Sequence, residues 1–142
     1  MQKLSKPTKL KLIMPLIYWV AANVLFFTLF SGTANQCIGI ITTNIAFVFW
    51  IIARMQLGNA FSIAPKTNFL VTTGLYSKLR HPVYYFSILA LVGVCVFIGN
   101  PFLALAVIGL VLLEWFRIAK EDALLAKKFG KEYTAYRKQT WF

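Results

Sequence analysis

Two stretches of the chain, Leu12 to Ala53 and Val83 to Leu113, run without a single formal charge. One bilayer span needs roughly 20 apolar residues, with about 17 tolerated, so each run is too long for one helix and suits two. Polar breaks fall where two helices would require them, at Ser31–Gln36 in the first run and at Gly99-Asn100-Pro101 in the second. Glycine after one helix and proline at the first position of the next is the punctuation of a tight helical hairpin. The pattern predicts four transmembrane helices at about 12–30, 37–54, 82–98 and 101–118, with Pro15 near the start of the first, where it costs little. Mid-span Asn23 is expected to face a neighbouring helix, and Thr42, Thr43 and Asn44 to act as glue between helices. Residues 55–81 form the longest polar segment. With Gly58, Asn59, Pro65, Asn68 and Gly74 and no sustained helical period, this segment reads as a turn-rich functional loop. In the tail, 119–142, Leu125, Phe129, Tyr133 and Tyr136 recur at helical spacing with Lys and Arg between them. That pattern predicts a helix on the membrane face or against the loop, weakened at Gly130.

Composition agrees. With 59% apolar and 13% charged residues in 142, the chain is expected to be an all-α integral membrane protein forming one membrane domain. The net charge of +11 acquires meaning once mapped: four basic residues lie in 1–11, four in 54–80 and seven in 117–138, which is all fifteen. Four passes, two in each run, put all three clusters on one side, so the positive-inside rule predicts that loop, tail and both termini are cytoplasmic. The basicity therefore reads as topology and anionic-lipid contact rather than nucleic-acid binding. The basic start followed by an apolar stretch resembles a signal peptide, but no small-residue cleavage site follows, and it is read as a retained first helix. Cys37 and Cys95 fall near the outer helix ends; they are read as packing residues, with a disulfide between them left open. Neither has metal-ligand spacing, and one histidine makes a zinc site improbable.

Candidate chemistry gathers where the loop meets the third helix, in the stretch LVTTGLYSKLRHPVYY from Leu70 to Tyr85. Pro82 suits the first helical position, which would leave the N–H groups near Val83 and Tyr84 free for a carboxylate or phosphate, with Arg80 and His81 beside them. His81 reads equally as an N-cap, and Tyr84 and Tyr85 as interfacial anchors. Arg117 and Glu121, four apart, share a helix face; they form a surface ion pair or both address a ligand. Glu114 is the only acid within a span. It either serves function, as intramembrane acids tend to, or snorkels or pairs with Arg117. No GxGxxG follows a strand and no GxxxxGK[ST] occurs, so the familiar nucleotide folds are excluded.

The order LVT-x-G-x-Y, RHP-x-Y, Asn-Pro, Arg-x-x-x-Glu and FG-x-EY-x-x-Y, over about Asn68 to Arg137, resembles the isoprenylcysteine carboxyl methyltransferase family; the phospholipid methyltransferases look similar in this region. The resemblance implies an integral membrane enzyme using S-adenosylmethionine without a Rossmann domain. It implies that Leu70, Val71, Tyr76, His81, Pro82, Tyr84 and Glu121 line the cofactor site and that Arg117 orients the substrate. The family's acidic pair is Glu121-Asp122 in this chain, shorter at its second position, and only two helices precede the loop. The expected acceptor is lipidic or prenylated, with a carboxylate of the isoprenylcysteine type. A phospholipid or other small acceptor is the alternative, and a four-helix transporter coupled through Glu114 is the non-enzyme reading. A carboxylate acceptor needs no base because it is ionised at neutral pH; an amine would need one, from His81, Glu114 or Glu121.

Overall fold

The computed structural model describes residues 9–57 and 70–141, apart from the side chains of 9–12 and 14. Of the positions named from the sequence, Gly58, Asn59, Pro65 and Asn68 lie outside the described residues. Every regular element among the described residues is helical: α1 (Lys9–Leu29), α2 (Ala34–Leu57), a 3-10 turn (Gly74–Ser77), α3 (Pro82–Ile98), α4 (Pro101–Phe129) and α5 (Lys131–Gln139). Only α3 has the bounds expected from the charge-free runs.

The other helices depart from those bounds for local reasons. Helix α1 begins at Lys9, so Pro15 lies inside it rather than at its start. Helix α2 starts at Ala34 because Thr33 caps it: the Thr33 hydroxyl accepts from the Gln36 N–H at 3.4 Å. The Gln36 side chain closes the turn, accepting from the Ser31 N–H at 2.8 Å and donating to the Leu29 carbonyl at 3.0 Å. This is a variant of the Thr-x-x-Gln capping box. Helix α4 runs past residue 118 to Phe129, so the tail is not a separate interfacial helix from 119. Apolarity stops near Arg117, but Ala, Leu, Lys and Glu are good helix formers and carry the backbone on. The break comes at Gly130, whose φ of 49° with ψ of −115° is a glycine conformation.

Helices α2 and α3 form the most intimate pair. A Cβ on Gly93 would lie 2.4 Å from the Thr43 hydroxyl and 2.7 Å from its backbone nitrogen, and one on Gly39 would lie 2.7 Å from the Gly93 carbonyl. Fully buried Ala46 continues the small-residue stripe, and the Thr43 hydroxyl donates to the Ala90 carbonyl at 3.3 Å. Close backbone approach with hydroxyl bonding is how helices associate when hydrocarbon surrounds them. Helix α1 joins through the Asn23 and Asn44 amides, as expected. The Asn44 carboxamide accepts from the Trp19 indole at 3.0 Å and reaches Asn23 Oδ1 at 3.4 Å. The Cys37 and Cys95 thiols are free.

The exterior is apolar. Phe27, Phe102 and Trp115 are more than two-thirds exposed. Helices α2 and α4 are long and apolar enough to cross a membrane; Pro15–Leu29 of α1 and α3 are shorter apolar helices.

The α2–α3 contact predicts opposite responses to one added methyl. Gly93→Ala must push Thr43 backbone aside and should cost about 1–3 kcal/mol. Gly109→Ala, on α4 with nothing within 4 Å of the added Cβ, should be neutral or gain up to about 1 kcal/mol. Thermal unfolding in detergent micelles compares them, and equal midpoints would contradict the packing.

Candidate functional site

The end of α2, the 3-10 turn and the start of α3 share one apolar cluster: Ala53, Val71, Tyr76 and Val83, with Trp50, Leu57 and Leu75 against it. Gly74 enters the turn at a φ of +65°, and the Leu75 N–H donates to Gln56 Oε1 at 2.8 Å, so α2 fixes the turn from one side. Helix α5 fixes it from the other. The buried Tyr136 hydroxyl donates to the Tyr76 carbonyl at 2.6 Å, and the Trp141 N–H donates to the Lys78 carbonyl at 2.9 Å. Burial pushes the Tyr136 hydroxyl up to about 12, so it keeps its proton and remains a donor.

The polar centre is Asp122, on the charged extension of α4. Its Oδ1 lies 2.6 Å from His81 Nε2 and accepts from the Tyr133 hydroxyl, while its Oδ2 accepts from Arg80 Nη1 at 3.0 Å. The other ring nitrogen of His81, Nδ1, is 3.6 Å from Glu121 Oε2. A buried imidazole with a carboxylate at each nitrogen is set up as a cation. Burial opposes that charge, but the bond to Asp122 and the nearby carboxylate of Glu121 outweigh it and hold the His81 pKa above its ordinary value. Partial burial likewise pushes the Asp122 carboxyl up, and the bonds from His81 and Tyr133 with the charge of Arg80 hold it below the usual carboxylate range.

Several expectations change. His81 occupies the N-cap position of α3, but its side chain makes no capping bond. The N–H groups of Tyr84 and Tyr85 both donate to the His81 carbonyl, at 3.1 and 3.2 Å, and Val83 is buried. The start of α3 is therefore not the open anion site that Pro82 suggested. Arg117 does not pair with Glu121; its Nη1 bonds Glu114 Oε1 at 3.0 Å. Of the readings of Glu114, the pair with Arg117 is the one the structure shows.

Of the residues proposed for the cofactor, Pro82 is fully buried, Val71 and Tyr76 are buried in the apolar cluster and Leu70 is half-buried at its edge. The Tyr84 ring stands edge-on to His81 at 5.9 Å. Tyr84 also feels the charges of Glu121, Glu114 and Arg117 together, so α3 and α4 bring these residues to one place. Glu121 Oε2 is buried and makes no hydrogen bond. Sequence reasoning missed Asp122 as a hub, noting it only as a short member of an acidic pair, and missed Tyr133 as its partner. The available signal was that Tyr133 and Tyr136, three apart, share a helix face beyond the glycine break.

Because the chain has one histidine, its ring resonances report this centre alone. Asp122→Asn should lower the pKa of His81 markedly in an NMR titration; an unmoved value would remove Asp122 from the centre. Stability is tied to these pKa values by linkage. The His81 contribution is complete below about 6.5, its ordinary value, and is lost as pH rises through the higher folded value. The Asp122 contribution is present above about 3.8 and is lost as pH falls through its lower folded value. The wild type should thus be most stable between these values, with the alkaline slope flattened in Asp122→Asn.

A family model described as phospholipid methyltransferase matches residues 27–132. A protein-S-isoprenylcysteine O-methyltransferase of Schizosaccharomyces pombe is 38% identical over 94 residues, 61% of this chain and 39% of the relative. One from Dictyostelium discoideum is 36% identical over 76 residues, covering 51% and 31%. Protein-S-isoprenylcysteine O-methyltransferase A of Arabidopsis thaliana is 28% identical over 140 residues, covering 94% and 71%. The chain spans about two fifths of the length of the S. pombe relative. The matched stretch takes in the α2–α3 crossing, the 3-10 turn, His81, Arg117, Glu121 and Asp122, and on it the chain belongs to the phospholipid methyltransferase family, alongside its isoprenylcysteine carboxyl methyltransferases.

Proposed function

We propose that the chain is an S-adenosylmethionine-dependent methyltransferase whose acceptor is a carboxylate on a lipidic or prenylated molecule. The observation that carries the choice of acceptor is His81, whose two ring nitrogens face Asp122 at 2.6 Å and Glu121 at 3.6 Å. Set between two carboxylates that favour its protonated form, His81 is poorly placed to take a proton from an acceptor. A carboxylate is ionised at neutral pH and needs none taken. The description of the matched family model favours a second reading, an amino phospholipid; that acceptor would have to lose its proton to another group.

S-adenosylmethionine supplies a methyl group already activated on a sulfonium. The residues fit such a donor. Glu121 offers a buried oxygen without a hydrogen bond, suited to an ammonium or ribose hydroxyls. Half-buried Tyr84 offers an aromatic ring to a cation. What remains for the chain is to align acceptor and donor and to exclude water. Arg117, two-thirds exposed beside Trp115 and Phe116, would receive the acceptor carboxylate while its lipid portion lies along the apolar face of α4. As the acceptor oxygen bonds to the methyl carbon, the bond from that carbon to sulfur breaks; the products are a methyl ester and S-adenosylhomocysteine.

The same reading takes α1 to α4 as four spans with loop, tail and both termini cytoplasmic, supported by the three basic clusters. Donor and acceptor then meet at the cytoplasmic membrane face.

Two variants test the assignment. Glu121→Gln should weaken S-adenosylmethionine binding in a chain that still folds; unchanged affinity would take Glu121 out of the donor site. Arg117→Lys keeps the charge and loses the two-pronged donor. A charge-assisted contact is worth about 1.5–3 kcal/mol, so turnover on a prenylcysteine acceptor should drop about ten- to a hundredfold at unchanged donor affinity. Wild-type turnover, or lost donor binding, would remove Arg117 from the acceptor role.

A further inference from the structure

Among the described residues, one part of the donor has no recognised anchor. S-adenosylmethionine carries a carboxylate, and the expected receptor for it was the start of α3. There the Tyr84 and Tyr85 N–H groups are already engaged by the His81 carbonyl and Val83 is buried. His81 bonds Asp122 and faces Glu121 with its other nitrogen, Arg80 bonds Asp122, and Arg117 stands on the acceptor side with Glu114.

Arg54, in the last turn of α2, is of another kind. It is 6% exposed, and it is the only arginine or lysine side chain buried among the described residues. Its neighbour Ala53 belongs to the apolar cluster that holds Val71, Tyr76 and Val83. Its guanidinium carbon stands 6.0 Å from the centre of the Trp50 ring, and its charge acts on both Tyr76 and Tyr84. These are two of the residues assigned to the donor, and Glu121 acts on the same two tyrosines from the α4 side. A basic residue that only complements the C-terminal end of a helix does so from the surface; Arg54 is turned inward, beneath the turn. A guanidinium has five donors in a fixed fork, with capacity for a ligand beyond contacts inside the chain, and the fork matches a carboxylate with two parallel bonds.

We propose that Arg54 binds the carboxylate of the methyl donor, so that α2 and α4 grip its amino-acid end from opposite sides, Arg54 on the carboxylate and Glu121 on the ammonium. This rests on the assignment of S-adenosylmethionine as donor. It makes Arg54 a binding residue that no motif in the sequence marks, and it gives the tight α2–α3 crossing a role in ligand recognition, since that crossing sets where the end of α2 lies.

Equilibrium binding of two ligands to the full chain in detergent tests this without turnover. The ligands are S-adenosylmethionine and its decarboxylated form, which keeps the adenosine, sulfonium and ammonium and lacks the carboxylate. Wild type should prefer the intact donor about ten- to a hundredfold, the worth of one charge-assisted contact. Arg54→Gln should lose that factor for the intact donor and change little for the decarboxylated one, erasing the preference; Arg54→Lys should restore part of it. Equal losses for both ligands would make Arg54 a packing residue and overturn the inference. Wild type that binds both ligands equally overturns it as well while leaving the donor assignment standing. Wild type that binds neither overturns that assignment and this inference with it. Should Arg54→Gln fail to fold, Arg54→Lys carries the comparison: a weakened preference supports the contact and an unchanged one refutes it.

Discussion

The carboxylate of Asp122 accepts from Arg80 and from Tyr133 and meets His81 at 2.6 Å, groups that belong to the loop, to α5 and to the residue before α3. Three stretches of the chain, at 80–81, 122 and 133, thus converge on two oxygen atoms. Charge-assisted bonds of this kind are about twice as strong as neutral ones. The larger effect is the penalty for losing one: the remaining partners are left partly buried with unmet charge, which costs about 3–5 kcal/mol for a buried pair. The centre is therefore held together by the cost of taking it apart. Helix α4 needs its charged extension for this reason, because a helix ending at 118 would leave Asp122 with no fixed position.

The second constraint is steric. Gly39 and Gly93 let α2 and α3 approach until a Cβ on either would strike backbone. That approach sets the distance between the end of α2, with Ala53 and Arg54, and the start of α3, with His81 and Pro82. The 3-10 turn spans the gap and is gripped by Gln56 from one side and Tyr136 from the other. Packing inside the apolar layer thus determines geometry in the polar layer next to it.

How legible this was depends on whether the information is local. Four apolar helices could be read from charge-free runs, and the bounds of α3 from Pro82 and Gly99, because proline and glycine act on their own backbone. The start of α2 was equally legible in Thr33-x-x-Gln36 but was hidden by reading polarity as a turn. The end of α4 was misplaced because loss of apolarity was equated with loss of helix; hydropathy reports the surroundings, and propensity with Gly130 reports the helix. Asp122 was out of reach, since its partners Arg80 and His81 lie about forty residues upstream and Tyr133 lies across a chain break in helicity. Arg117 and Glu121 showed the opposite failure. Their spacing permits contact, but spacing cannot choose between two acids, and the structure gives Arg117 to Glu114, three residues away.

That choice separates the arginines by what they are free to do. Arg80, 17% exposed, bonds a carboxylate that two other groups share, so withdrawing it would disturb all of them. Arg117 is 66% exposed and holds one acid on its own helix. An exposed pair of this sort is worth under about 1 kcal/mol, less than the roughly 1.5–3 kcal/mol of a charge-assisted bond to an anion brought by a ligand. In the proposed acceptor role, Arg117 would exchange Glu114 for the acceptor carboxylate at a net gain. Arg80 has no such margin. Two arginines within reach of one polar centre are thereby divided, by burial alone, into one that fixes the site and one that can answer to what enters it.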